Sequence, residues 1–146
     1  AAHQLSHETK QPDGWKNFAL YCQFLHEELA RFIQRLKNTP EPGGQGALLD
    51  HSLVLFGSAS SAFHLSRNYP LILAGGRGLG VSHGQYLNHA GAKAYRGGWK
   101  PGDKEPWTQK AQQEDVPLSN LFVSMLHRLG VETDAFADSA RPLEGV

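Results

Sequence analysis

The chain of 146 residues has one cysteine, no excess charge of either sign and no long apolar run. The single cysteine, Cys22, excludes an internal disulfide and a cysteine-rich zinc site, and its apolar surroundings favour a buried structural thiol over a nucleophile. Fourteen basic residues balance fourteen acidic ones, so nothing electrostatic favours nucleic acid as a partner. No segment approaches the roughly 20 apolar residues of a transmembrane helix, and we predict no membrane span.

Length and composition are those of an ordinary globular chain. With 40% hydrophobic and 19% charged residues, residues 1–146 are predicted to form a single domain with a modest core. The sequence shows no signal-peptide pattern. We therefore expect it either to be a mature chain or to lack its native start.

The first segment, residues 1–14, concentrates polar side chains that carry chemistry. If it is helical, His3 and His7 lie on one face, and neutral imidazole is the commonest protein ligand of zinc-like ions. The same pair also fits a solvated segment near a chain terminus. Ser6 is the nucleophile candidate within this segment. Histidines that are close to it in sequence are not for that reason placed to act as its base.

Two helices are predicted from apolar periodicity and end signals. The first covers 15–38, and its apolar residues recur at steps of three and four: Phe18, Tyr21, Cys22, Leu25, Leu29, Phe32, Ile33 and Leu36. Prolines and glycines in 39–44 end it. The second covers 117–130, with Pro117 at its first position and Gly130 just past its end.

The region 48–95 is predicted to carry a sheet. Its continuous apolar runs, 53–56 and 71–74, are typical of strands buried on both faces. After a long helix, they predict an α/β fold with a parallel or mixed sheet flanked by helices, where ligands bind beyond the carboxyl ends of the strands. Residues 58–64 would occupy that position. The glycine-rich run 75–80 is interpreted as a turn, because no helix opening follows it.

Residues 96–116 are predicted to form a long loop that carries Trp99 and Trp107. Large aromatic side chains on loops are favoured contact residues at protein interfaces. The two tryptophans are therefore candidate partner-binding residues. Packing of the loop against its own domain is the alternative.

Four stretches of the chain resemble a bacterial protein family named for its HxxSHH motif and grouped with alkaline phosphatase-like and sulfatase-like folds. They are HQLSHE at 3–8, LLDHSLVLFGS at 48–58, YPLILAGG at 69–76 and PLSNLFVSMLHRLGV at 117–131. The resemblance spans nearly the whole chain but covers only the C-terminal part of a full family member. It implies the C-terminal part of an alkaline phosphatase-like fold and an extracytoplasmic location.

The resemblance also implies a metal site, with His3, His7, Glu8 and His64 as ligand candidates for zinc or another divalent metal. The chain departs from the family pattern at two of its positions. Glu8 replaces the last histidine of the motif, and Ser60 stands where the family has a carboxylate. A serine hydroxyl is the poorer ligand because it brings no charge to the ion. The half of the superfamily fold that supplies the nucleophile has no counterpart in this sequence.

These departures favour a degenerate, non-catalytic relative that acts as a structural or interaction subunit of a larger assembly. Its partners would be other protein subunits, and no catalytic residue or cofactor is assigned to it. The first alternative is a metal-dependent phosphatase- or sulfatase-like hydrolase domain whose nucleophile lies on another segment or chain. A small-molecule binding module without chemistry is the second.

Overall fold

The computed structural model describes residues 2–58, 69–89, 116–139 and 141–146. In this part of the chain, helices and a small sheet form a mixed α/β structure. The chain divides into two compact units, Ala1–Leu49 and Asp50–Val146. The helices and strands are α1 (Ala2–His7), α2 (Gly14–Asn38), β1 (Leu53–Gly57), β2 (Leu71–Gly75) and α3 (Ser119–Arg128), with 3-10 turns at Glu8–Lys10, Leu48–His51 and Arg77–Leu79.

The first unit is built on α2, whose bounds agree with the predicted helix over 15–38. α1 and the following 3-10 turn contact the start of α2. At this junction the chain passes so close to itself that a Cβ on Gly14 would overlap the carbonyl oxygen of Glu8. At the C-terminal end of α2, the hydroxyl of Thr39 donates a 2.7 Å hydrogen bond to the carbonyl oxygen of Arg35. This bond satisfies one of the last carbonyls of the helix.

α2 buries very little of its surface. Gly14 is its only buried residue, and the predicted apolar stripe is mostly half-buried. Four of its large apolar side chains are exposed: Trp15, Leu20, Phe24 and Phe32. Of the helices that the structure describes, none combines the length and apolarity needed to cross a membrane.

The second unit contains the sheet, and its two strands are antiparallel. Leu53 pairs with Gly75, and Gly57 pairs with Leu71. The sheet is predicted to be parallel or mixed, and a parallel arrangement of these two strands is therefore wrong. A continuous apolar run does not give the direction of a strand. The expected burial on both faces is not found either, since most residues of the two strands are half-buried and Ile72 is exposed.

The glycine-rich run 75–80 forms a turn, as predicted. Arg77–Leu79 is a 3-10 turn between Gly76 and Gly80, whose φ angles are 74° and 82°. The backbone N–H of Val81 returns to the carbonyl oxygen of Gly76 at 3.0 Å. A Cβ on Gly76 would overlap Leu53 as well as Val81, so both the left-handed backbone and the close packing require glycine here.

α3 lies within the predicted helix over 117–130 but starts two residues after Pro117. The backbone N–H of Asn120 donates to the carbonyl oxygen of Pro117 at 3.0 Å, which makes 117–120 a turn leading into the helix. Gly130 ends the helix as predicted, with φ 77°. Gly130 and Val131 donate backbone hydrogen bonds to His127 and Leu126, the paired bonds of a Schellman motif.

The most buried residues of the second unit lie on α3 and beside the sheet. Val123 is fully buried, and Leu121 and Val81 are nearly so. Three polar residues of α3 are buried with them: Ser119, Asn120 and Ser124. The core of this unit is therefore small and partly polar.

Candidate functional site

His3 and His7 lie together on α1, as their four-residue spacing predicts. Their Nε2 atoms are 3.1 Å apart. The ring centroids are 4.6 Å apart, with the ring planes at 71° to each other. The two imidazoles therefore form a pair at the surface of the first unit, with a ring nitrogen of one hydrogen-bonded to that of the other.

The separation of the two nitrogens also suits a shared metal ion. Zinc binds histidine nitrogen at roughly 2.0–2.1 Å with tetrahedral geometry. An ion at that distance from both Nε2 atoms of His3 and His7 would subtend roughly 100° between them, against about 109° in an ideal tetrahedron.

The carboxylate of Glu8 is hydrogen-bonded within its own segment. It starts the 3-10 turn after α1, and its Oε1 accepts a 2.7 Å hydrogen bond from Nε2 of Gln4. His64, the fourth predicted ligand, lies outside the described residues, as does Ser60. Within the described ranges, no group of three or more histidine, cysteine, aspartate or glutamate side chains is arranged to hold a metal ion.

The hydroxyl of Ser6 is directed away from the imidazoles. Its Oγ donates a 2.7 Å hydrogen bond to the backbone carbonyl oxygen of His3. A hydroxyl that bonds to the preceding turn in this way is typical of serine inside a helix. The Ser6 proton is therefore directed at a backbone carbonyl and not at a base, and a serine that no base activates is a weak nucleophile.

The sheet does not bring the predicted ligand-binding ends of its strands together. Because β1 and β2 are antiparallel, Ser58 and Gly75 lie at opposite ends of the two-stranded sheet, about 17 Å apart along the strands. The residues beyond Ser58, from 59 to 68, lie outside the described residues. The predicted partner-binding residues Trp99 and Trp107 lie outside them too.

A small cleft adjoins the start of α3. It has a volume of about 160 Å³ and is lined by polar and charged residues that include Asn120, Arg141 and Glu144. Sites for small molecules typically measure about 300–1,000 Å³ and are mostly apolar. The cleft therefore does not favour the small-molecule binding hypothesis.

The sequence analysis did not identify two sets of residues that matter in the structure. One is Leu20 and Phe24, which are exposed and lie off the predicted apolar stripe of α2. Their four-residue spacing was a usable signal, since it places both side chains on one face.

The other set is the buried polar residues of α3. The Oγ of Ser119 donates to Oδ1 of Asp138 at 2.7 Å. The Oγ of Ser124 accepts from the backbone N–H of Leu143 at 2.7 Å. These serines hold residues far along the chain, so no local pattern could have identified them.

Comparison with known proteins adds no relative to this description. No protein-family model matches the chain, and neither a curated protein sequence nor a solved structure matches it. The class that the structure defines is a mixed α/β protein with a long, largely unburied amphipathic helix.

Proposed function

We propose that this chain is a structural or interaction subunit of a larger assembly, as a non-catalytic relative of the HxxSHH family. The observation that carries the proposal is the exposure of α2. Trp15, Leu20, Phe24 and Phe32 are exposed by 58%, 63%, 53% and 50%. Exposed apolar side chains gathered along one helix are characteristic of a protein-binding surface.

The exposed side chains lie on two faces of α2. Phe32 belongs to the apolar stripe predicted from the sequence. Leu20 and Phe24 lie about 140° around the helix from that stripe, at 100° per residue. A helix with apolar side chains on opposite sides needs contacts on both to remove them from water. This arrangement supports a role in assembly.

The cost of leaving this surface in water indicates how much a partner could contribute. Burying a leucine or phenylalanine side chain is worth about 1.5–3 kcal/mol. Burial of the four exposed side chains of α2 by a partner would therefore stabilise the complex by several kilocalories per mole. Aromatic residues, which make up three of the four, are also those enriched at the centres of protein interfaces.

The proposal is tested by native mass spectrometry of the protein isolated from its own source. We expect an assembly heavier than the 16.0 kDa of this chain alone. Replacement of Phe24 by serine should reduce the fraction of assembly. Replacement of Tyr86, which is 86% exposed in the second unit, is the matched control and should leave it unchanged. A particle with the mass of a single chain would contradict the proposal.

The metal-dependent hydrolase domain is the alternative that a specific observation favours, namely the approach of His3 to His7. Catalysis by such a domain would need a nucleophile from another segment or chain, because the Ser6 hydroxyl donates to the backbone carbonyl oxygen of His3 and not to a base. If the proposed non-catalytic role is correct, zinc added to the protein isolated from its own source should leave phosphate and sulfate esters intact. Zinc-dependent hydrolysis by that protein, lost in a His7→Ala variant, would replace the proposed role by this alternative.

A further inference from the structure

Leu20 and Phe24 form the apolar centre of a self-complementary face on α2. Both are large and more than half exposed, and their spacing of one helical turn places them side by side. Asp13 at the N-cap and Arg31 near the other end lie on the same side of the helix, at 100° per residue. Their side chains are also exposed, by 74% and 64%.

We infer that this face binds the same face of a second copy of the chain, with the two α2 helices antiparallel; the inference rests on the proposed role in assembly. Along the chain the face is centred at position 22, although Cys22 itself lies on the other side of the helix. In an antiparallel pair centred there, Leu20 of each copy lies opposite Phe24 of the other. Two copies then shield all four side chains through one isologous contact.

The charges at the ends of the face select the antiparallel direction. Asp13 and Arg31 are equally far from Cys22 along the chain, so the same register places Asp13 of one copy opposite Arg31 of the other. A parallel pair in register would instead place aspartate against aspartate and arginine against arginine. Like charges across an interface are destabilising, and opposite charges fix its register.

The existing ion pairs of these residues are compatible with the contact. Asp13 bonds to Lys16 at 2.9 Å, and Arg31 pairs with Glu27 and Glu28 of its own helix. A guanidinium has five N–H donors and a carboxylate accepts several hydrogen bonds. Each group can therefore take a further partner in the second copy without breaking its local pair.

The expected contact is weak because it is small. Two large apolar side chains per copy bury much less than the roughly 1,200–2,000 Å² of a standard stable interface. Association should therefore depend on protein concentration, with monomer and dimer both present in the same sample. Such an equilibrium is directly measurable by sedimentation.

The test is sedimentation equilibrium of the purified full chain over a wide concentration range. We expect a reversible monomer–dimer equilibrium. The Leu20→Ser/Phe24→Ser variant should raise the dissociation constant by about tenfold or more, which equals about 1.4 kcal/mol per factor of ten. Circular dichroism of each variant shows whether α2 remains helical.

A double-mutant cycle tests the charge pairing. Asp13→Asn and Arg31→Gln should each weaken the dimer by about three- to tenfold, because each removes two equivalent ion pairs from the symmetric contact. Asparagine is chosen at 13 because it tolerates the φ of 60° found there. The double variant should be little weaker than either single one. Lys37→Gln removes a charge about 120° around the same helix and should have no effect.

The outcomes separate this inference from the proposed function. A chain that is monomeric at every concentration overturns self-association, and so does a dimer that Leu20→Ser/Phe24→Ser leaves unchanged. If the protein from its native source is nevertheless part of a heavier particle, the role in assembly stands with a different partner. A monomer in both experiments overturns both proposals.

Discussion

α2 and α3 are both amphipathic helices, yet they are buried to very different extents. α3 buries five of its 10 residues, whereas α2 buries one of its 25. α3 is covered by later residues of its own chain, because Asp138 and Leu143 form hydrogen bonds with its buried serines. Among the described residues of its own unit, nothing buries α2 to a comparable extent. Of the two helices, α2 is therefore the one that leaves large apolar side chains exposed, and it is the one that we propose binds another chain.

The largest difference between the two helices is expected in the free energy of unfolding, when a buried side chain of α3 and an exposed one of α2 are each truncated. Val123 is fully buried, so Val123→Ala should lower the free energy of unfolding by about 2–3 kcal/mol through lost burial and a residual cavity. Leu20→Ala on α2 is the matched substitution, and its effect should stay within about 0.5 kcal/mol, as for exposed positions generally. Urea denaturation measures both. Equal losses would show that Leu20 is covered in the single chain and would remove the contrast between the helices.

Local signals were sufficient to predict much of the fold. Helical periodicity and the prolines after Asn38 gave the bounds of α2, and Gly130 marked the end of α3. The four-residue spacing of His3 and His7 correctly placed their rings together. In each case the structure is determined by residues within one or two helical turns of each other.

The features that the sequence did not reveal depend on distant residues. The direction of β2 relative to β1 depends on the path of the chain between them and not on their apolar runs. The burial of Asn120 and Ser124 depends on the return of residue 143 to α3. Of the predicted metal ligands, Glu8 shares its segment with the histidines, yet it bonds to Gln4.

The histidines of the two units make different contacts. In the second unit, ring nitrogens of His83 and His127 donate to backbone carbonyl oxygens at 2.8 and 2.7 Å, which is a structural use. In the first unit, His3 and His7 face each other at 3.1 Å. Of these described histidines, it is the pair in the first unit, His3 and His7, that could offer two ring nitrogens to one ion.

Calorimetric titration with Zn²⁺ should therefore detect a site that depends on both His3 and His7. Loss of one of the two ligands, in His7→Ala, should weaken binding by about tenfold, which is about 1.4 kcal/mol. His127→Ala should have no effect. The Leu5→His/His7→Leu variant keeps the composition but places the two imidazoles on different faces, since residues two apart do not face each other on a helix. This variant should bind zinc as weakly as His7→Ala does. A zinc affinity that is unchanged in both variants would contradict zinc binding by His3 and His7 together.

The most direct test of the claim that α2 is covered by a second copy is disulfide trapping in a Cys22→Ser background. Chains with Leu20→Cys and chains with Phe24→Cys are mixed and oxidised, and the covalent dimers are identified by mass spectrometry. The antiparallel contact predicts that the mixed disulfide between the two variants forms preferentially, because a disulfide needs Cα atoms within about 7 Å. Disulfides formed without preference among the three possible pairs, or no covalent dimer, would contradict it.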